Sequence, residues 1–280
     1  MKKKKVILIS LACLLLALVI WVIWGNTALE CNEVTIQSAR LPKAFDGFRI
    51  AHISDLHNTE LGKNNEKLLH MLKEAKPDII AITGDMIDSR NTKAEVALAF
   101  AKGAMEIAPC YYVTGNHESR VDDAYQELKS GLTELGVVLL SEDTVTLQQG
   151  DASISLVGVN DPAFWKCADE ASAMDQCLQT LAQKADGFTI LLSHRPELFE
   201  VYGKNSIDLV LTGHAHGGQF RLPFIGGLVA PNQGFFPEYD AGVYTQGTTN
   251  MVVSRGIGNS IIPLRFNNPP EIVLIELQTK

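Results

Sequence analysis

Five short apolar runs each end in a small polar cluster, and this repeated juncture constrains the fold more than any other feature of the chain. Ile53 leads into Ser54-Asp55-Leu56-His57, and Thr83 into Gly84-Asp85-Met86-Ile87-Asp88. Thr114 leads into Gly115-Asn116-His117-Glu118, Ser193 into His194, and Thr212 into Gly213-His214-Ala215-His216. The runs are short and rich in Ile, Val and Leu, as strands buried on both faces are. In an open α/β sheet the carboxyl ends of the strands gather along one edge, and ligands bind in the crevice there. Clusters far apart in sequence are therefore expected to meet in space. Glycines at 84, 115 and 213 let the chain turn sharply and let backbone approach the site.

Strands are predicted over 48–53, 79–83, 111–114, 154–159, 189–193, 209–212, 251–254 and 272–277. Helical patterns fall between them. Thr92-Lys93-Ala94-Glu95 has capping-box spacing. Tyr125, Leu128, Leu132 and Leu135 form one apolar stripe that Gly136 can end, and Ala171, Met174, Leu178 and Leu181 form another. Stripes of this kind pack a core. The alternation through residue 212 implies an α/β domain. From 213 to 280 the chain is rich in glycine and proline and reads as loops plus strands that complete a sheet.

The chain opens with four lysines at positions 2–5, followed by nineteen residues (6–24) without a formal charge. At about 1.5 Å per residue this run spans roughly 28 Å, close to the thickness of a bilayer's hydrocarbon. Trp21 and Trp24 fall at its far end, where indoles favour the membrane–water interface, and the lysines are expected to stay cytoplasmic. A cleaved signal peptide is the competing reading, but the apolar core is long and Gly25-Asn26-Thr27-Ala28 is a mediocre cleavage site. A lipoprotein reading at Cys13 is weaker still, because the apolar run continues well past it. The expected organisation is a cytoplasmic basic end (1–5), a transmembrane signal-anchor (6–24), a linker (25–45) and one domain (46–280) outside the cytoplasm.

The formal charge is −8 despite those four lysines, so the body of the protein is distinctly acidic. That excludes a nucleic-acid partner, which would want a basic face. It does not exclude phosphate substrates, because bound divalent cations reverse the local field. A hydrophobic fraction of 46% with 20% charged residues excludes disorder. Five cysteines, at 13, 31, 110, 167 and 177, include no CxxC pair and form no disulfide framework, although one bridge between Cys167 and Cys177 is left open. No Gly-x-Ser-x-Gly elbow is present, which sets a serine hydrolase aside.

The clusters offer carboxylate, amide oxygen and imidazole but no thiolate, a set suited to Mn, Fe or Zn and unlike a structural cysteine–zinc site. Five of the seven histidines lie in them. His70 reads as an ordinary, partly exposed helical side chain and His52 as a packed, hydrogen-bonded core histidine. Each motif alone is weak: Asp-x-His is common, and Gly-Asp and Gly-Asn are often plain turns. Their joint occurrence at five strand ends is what argues for a site.

Asp-x-His, Gly-Asp-x-x-Asp, Gly-Asn-His-Glu, a later His and Gly-His-x-His, in this order, resemble the calcineurin-like metallophosphoesterases over roughly residues 46–280. Residues 213–219 with Arg221-Leu222-Pro223, and Val253-Ser254-Arg255-Gly256-Ile257-Gly258, resemble a membrane- or wall-associated bacterial branch of that superfamily. That branch includes phosphodiesterases and a UDP-diacylglucosamine pyrophosphohydrolase. The resemblance implies an α/β/β/α sandwich of two mixed sheets flanked by helices. It implies one divalent metal on Asp55, His57 and His216, a second on Asn116, His194 and His214, and Asp85 bridging the two. A metal pair of this kind can share a hydroxide that attacks phosphorus in line with the leaving group, with no covalent intermediate. His117 would lie just outside the metals and stabilise or protonate the leaving oxygen. Asp88 is the natural candidate to orient His117, or else a turn carboxylate.

Phosphoprotein phosphatases of the superfamily carry an arginine directly after the second aspartate of Gly-Asp-x-x-Asp. Here Ser89 stands in that place and Arg90 follows, so protein phosphatase activity does not carry over. Arg195 is a candidate for binding a substrate phosphate, with a surface arginine as the plain alternative; Arg255 and Arg265 are weaker candidates. A tethered enzyme is concentrated near lipid-linked or envelope-polymer phosphates, which makes them the expected substrates. A silent metal-binding envelope protein and a phosphatase of a soluble substrate are the alternatives. The apolar stretch around Phe220, Leu222, Phe224, Ile225, Leu228, Phe235 and Phe236 is expected to pack against the sheet edge, with lipid contact as the other reading. A monomer is assumed.

Overall fold

The structure, a computed structural model, describes residues 2–259 and 262–280. Met1 of the basic end and residues 260 and 261 of the domain lie outside the described residues. Two six-stranded sheets form the body. In chain order the first holds β1 (Glu30–Ser38), β2 (Arg49–Ile53), β3 (Ile79–Thr83), β4 (Cys110–Val113) and β5 (Val138–Leu139). The second holds β6 (Asp143–Gln149), β7 (Ala152–Gly158), β8 (Thr189–Leu192), β9 (Leu209–Thr212), β10 (Gly242–Gln246) and β11 (Thr249–Val253). The chain then returns to the first sheet as β12 (Glu271–Thr279). The strand orders are β1-β12-β2-β3-β4-β5 and β10-β11-β9-β8-β7-β6. Both sheets are mixed: β12 runs antiparallel to β2 but parallel to β1, and the outer hairpins β6–β7 and β10–β11 are antiparallel.

Alternation along the strands builds the layers, because successive side chains point to opposite faces. Ile50, Ile79, Ala81 and Val113 of the first sheet meet Leu156, Ile190, Leu192, Leu209, Leu211 and Val252 of the second in one buried core. The neighbouring residues Ala51, Ile53, Ile80 and Ile82 face the other way, onto α2 (Glu66–Ala75), α3 (Ala94–Met105) and α4 (Asp122–Glu134). Val157, Leu191, Val210 and Met251 face α5 (Glu170–Ala182) and α6 (Phe199–Lys204). The result is the expected α/β/β/α sandwich. Tyr125, Leu128 and Leu132 of α4 and Met174, Leu178 and Leu181 of α5 are buried, as their spacing predicts, whereas Leu135 is half-buried and Ala171 exposed. The capping box at Thr92 does not form; Lys93 occupies the cap of α3 and no side chain caps the helix.

The stretch 25–45, expected as a linker, is mostly built into the domain. Residues 30–38 pair with 271–279 along nine parallel positions. Ahead of them α1 runs Lys2–Thr27, longer than the predicted anchor. Its apolar span is long enough to cross a membrane, and none of it is buried against the rest of the molecule. The helix ends in a fixed junction. Asn26 donates to the Arg265 carbonyl at 3.0 Å and accepts the Arg265 N–H at 2.9 Å, while Gly25 comes close enough that a Cβ there would touch the same carbonyl. All five cysteines are free, so the bridge left open between Cys167 and Cys177 is absent.

Candidate metal centre

The loops after β2, β3, β4, β8 and β9 converge on one edge, and they do so in strained backbone. Asp55 (φ 54°), His57 (45°), Asp85 (51°), His214 (65°) and His216 (49°) all occupy the left-handed region. Asp and His tolerate this region better than most residues, yet each instance costs on the order of 1–3 kcal/mol and persists only where its surroundings enforce it. Here the loops brace one another: Asp55 N–H donates to the Gly84 carbonyl at 3.1 Å and His57 N–H to the Asp85 carbonyl at 3.0 Å. A Cβ on Gly115 would overlap the Asp85 carboxylate, and one on Gly213 would overlap Ser54 Oγ and Asp55 Oδ2. Glycine at 115 and 213 is therefore what lets the loops close.

All ten residues nominated from the sequence are buried: Asp55, His57, Asp85, Asp88, Asn116, His117, His194, Arg195, His214 and His216. Asp55, His57 and His216 form one tight acid–imidazole group, and Asp85, His194 and His214 form another. His57 and His216 face each other with 3.2 Å between their Nε2 atoms, and His216 Nε2 is 3.3 Å from Asp55 Oδ1. His214 Nδ1 is 3.1 Å from His194 Nε2. Asp85 stands between the groups, its Oδ2 3.6 Å from His57 Nε2 and 3.3 Å from His194 Nε2. Its Oδ1 accepts the backbone N–H of His117 at 2.8 Å.

These residues fit divalent cations. Asp55 Oδ1 and Asn116 Oδ1 are buried without a hydrogen-bond partner, a state that costs about 1–3 kcal/mol per atom unless something satisfies it. Burial opposes the charged form of both aspartates, but the histidines around them, His194 for Asp85 and His216 for Asp55, hold their carboxyls well below the usual range. Burial pushes His216 down to about 3 and holds His214 well below the ordinary imidazole value, so both rings are neutral and their lone pairs free to ligate. For His194, burial is outweighed by Asp85, which lifts it to about 10. A cation entering this group displaces that proton.

Glu118 holds the loops together from beneath. Its carboxylate accepts the backbone N–H groups of Asp85 (3.0 Å), Gly115 (2.8 Å) and Ile87 (3.2 Å). Burial, and then the Asp85 charge, push its carboxyl up to about 7 while these donors oppose the rise.

Asp88, Arg195, Arg255 and Arg265 have close partners that the sequence did not specify. Asp88 lies in a third acidic–imidazole group with His57 and His117, but its Oδ1 is 3.8 Å from His117 Nδ1, beyond hydrogen-bond reach. Its carboxylate is taken by Arg90, which donates to it from its backbone (2.8 Å) and from Nη2 (2.6 Å). His117 Nδ1 instead accepts the Ser89 N–H at 3.0 Å. Arg195 is not a surface residue: Asp161 clamps it from both oxygens at 2.5 and 2.8 Å, and Nη1 is 3.3 Å from Glu197 and 3.5 Å from His214 Nε2. Arg255 pairs with Glu30 and Glu271, and fully buried Arg265 donates to backbone carbonyls. Asp161 is the residue that sequence reasoning missed. The signal was present, since the predicted strand 154–159 runs straight into Asn160-Asp161-Pro162, a sixth strand-end polar cluster.

The family model for calcineurin-like phosphoesterases matches residues 48–218. The chain belongs to this family. It is a metallophosphoesterase, an enzyme that hydrolyses phosphoric esters with divalent metal. The uncharacterized metallophosphoesterase YkuE of Bacillus subtilis (strain 168) is 32% identical to it over 259 residues, 90% of this chain and 86% of YkuE. The phosphodiesterase YaeI of Escherichia coli (strain K12) is 28% identical over 239 residues, 82% of each chain. Among solved structures, TT1561 of Thermus thermophilus shares the metallophosphoesterase's fold, with a TM-score of 0.52 at 16% identity over 75% of this chain and 90% of that one.

Proposed function

We propose that this metallophosphoesterase works with two divalent cations, one on Asp55, His57 and His216 and the other on Asn116, His194 and His214, with Asp85 serving both. The observation that carries this reading is the position of Asp85 Oδ2, within 3.6 Å of a histidine from each group. Manganese, iron and zinc all suit the oxygen and imidazole donors. When bound, such cations supply Lewis-acid polarisation of a phosphoryl oxygen and a water acidic enough to attack at neutral pH. The protein's own groups do the rest. His117, stacked edge-on against His57 with ring centroids 4.5 Å apart, stands beside the metal groups, where its ring N–H can hydrogen-bond the leaving oxygen as charge develops on it. The converging loops exclude bulk water from the buried donors.

The substrate we infer is a phosphoester on a lipid or an envelope polymer, cleaved outside the cytoplasm by a domain that α1 holds to the membrane. The lysines at 2–5 favour a cytoplasmic start for α1, and its apolar length suits a bilayer. Because YaeI is by name a phosphodiesterase, diesters are the first class to test. Purified full-length protein should hydrolyse bis(p-nitrophenyl) phosphate when loaded with Mn, Fe or Zn. Bound metal with no turnover under any of the three would overturn the hydrolytic reading.

A further inference from the structure

Of the seven apolar residues expected to pack against the sheet edge, Phe220, Leu222 and Leu228 are half-buried and the other four do the opposite. Two short hairpins, Arg221–Leu222 with Gly226–Gly227 and Val229–Ala230 with Gly234–Phe235, carry Phe224, Ile225, Phe235 and Phe236 into the open. Phe224 is fully exposed and Phe235 is 81% exposed. Phe224 (φ 68°) and Phe236 (φ 55°) also hold left-handed backbone, which bulky side chains rarely adopt. Strain that displays aromatic rings to water works against a freely soluble surface, and an exposed apolar patch of this kind marks a contact.

What the patch contacts follows from its neighbours. Gln219 donates to the carbonyls of Ile262 and Leu264 at 2.9 and 2.7 Å, and Arg221 N–H donates to the Phe266 carbonyl at 3.0 Å. The hairpins are thus fastened to the segment that grips the end of α1 through Asn26. Asn26 is only about 3 Å along the helix axis from Trp24, the residue type that marks the membrane–water boundary. The patch therefore lies beside the point where α1 leaves the bilayer. At its other end it touches the metal centre: Asn232, between Ala230 and Gly234, has its Oδ1 3.4 Å from His214 Nε2.

We propose that these hairpins form a second membrane contact, in which Phe224, Ile225, Phe235 and Phe236 enter the bilayer surface and seat the metal centre over lipid-borne phosphate. The lipid-substrate half rests on the hydrolytic reading above; the membrane contact does not. Its grip is apolar rather than ionic, since residues 217–240 carry one cation, Arg221, and Asp240 takes it at 2.9 Å.

The test uses the full chain in phosphatidylcholine vesicles with Phe224→Trp. Rings roughly 5–10 Å into the headgroup–acyl boundary lie near the upper acyl carbons, so the emission the substitution adds should fall about twofold or more when those carbons are brominated. Adding phosphatidylglycerol should change nothing. If acrylamide in the water quenches that emission while brominated lipid does not, the membrane contact is overturned; if neither quenches it, a protein covers the patch, and the proposal fails equally. The triple variant F224S/F235S/F236S should hydrolyse bis(p-nitrophenyl) phosphate as the parent does. On vesicle-embedded hexadecyl p-nitrophenyl phosphate it should be slower by about tenfold or more, as three lost aromatic contacts imply. Equal rates on the embedded ester would overturn the seating role. Lipid quenching without turnover of either ester would refute the hydrolytic reading alone.

Discussion

The backbone N–H of Ser89 is aimed at Nδ1 of His117 across 3.0 Å. A nitrogen that accepts an N–H carries no proton, so the neutral ring keeps its hydrogen on Nε2. Burial holds His117 down to about 4, which makes that neutral ring the form present at working pH. The ring is thereby set as a donor without help from the Asp88 carboxylate.

His117→Ala should retain metal and lose turnover by about 10²–10³-fold, the range for removing one donor aimed at a developing oxyanion. Metal analysis alongside kcat checks it, and an unchanged rate would refute the role. Asp88→Asn should reduce kcat far less, because Asp88 engages Arg90 rather than the ring.

Asp85→Ala should empty both metal groups together, since one carboxylate stands within 3.6 Å of a histidine in each. Metal content per chain decides the matter: retention of one ion would show that Asp85 serves a single site.

Glu118→Gln replaces a carboxyl that accepts from three buried N–H groups with an amide that can satisfy only part of the set. Stability should drop by about 2 kcal/mol or more, read from urea unfolding, and metal affinity should weaken because the Asp85 loop loses its brace.

Asp161→Ala leaves the Arg195 guanidinium buried without its main partner and should destabilise the fold by about 3–5 kcal/mol. The double variant Asp161→Ala/Arg195→Met should recover much of that loss. If the arginine instead binds substrate, Arg195→Met would raise KM with little change in unfolding.

His52 supplies a test by pH. Burial pushes it down to about 3, and its Nε2 lies 2.8 Å from Thr83 Oγ1. Its unfolded value is near 6.5, so above that pH it is neutral in both states and adds no pH dependence. As pH falls below it the unfolded chain takes up a proton that the native ring refuses, and stability declines by up to about 1.4 kcal/mol per unit towards pH 3. His52→Gln should flatten that decline between pH 6 and pH 4 in urea titrations, relative to the parent chain.

The strands visible in the sequence, β2, β3, β4, β7, β8, β9, β11 and β12, are largely buried and therefore mostly apolar. The missed ones, β1, β5, β6 and β10, are edge strands with at most one buried residue each, and either polar side chains or, for two-residue β5, sheer brevity hides them. The seven metal-ligand candidates were legible because ligand chemistry permits few residue types. The partners of Arg195 and His117 were not, because a clamp by Asp161 or a backbone N–H from Ser89 depends on distances that spacing does not encode. The outward turn of Phe224 and Phe235 was hidden for the same reason: an apolar loop reads alike whether it faces a core or a bilayer.

The place of β12 also bears on the order of events during synthesis. Drawn from residues 271–279, it lies between β1 and β2, so the first sheet stays split until that segment has left the ribosome. A domain completes its fold only once all its strands are available. Until then the first sheet lacks the strand that joins β1 to β2, although α1 has long since emerged. Closure of the first sheet therefore needs residues 30–53 and 271–279 at the same time, a long-range event rather than a local one.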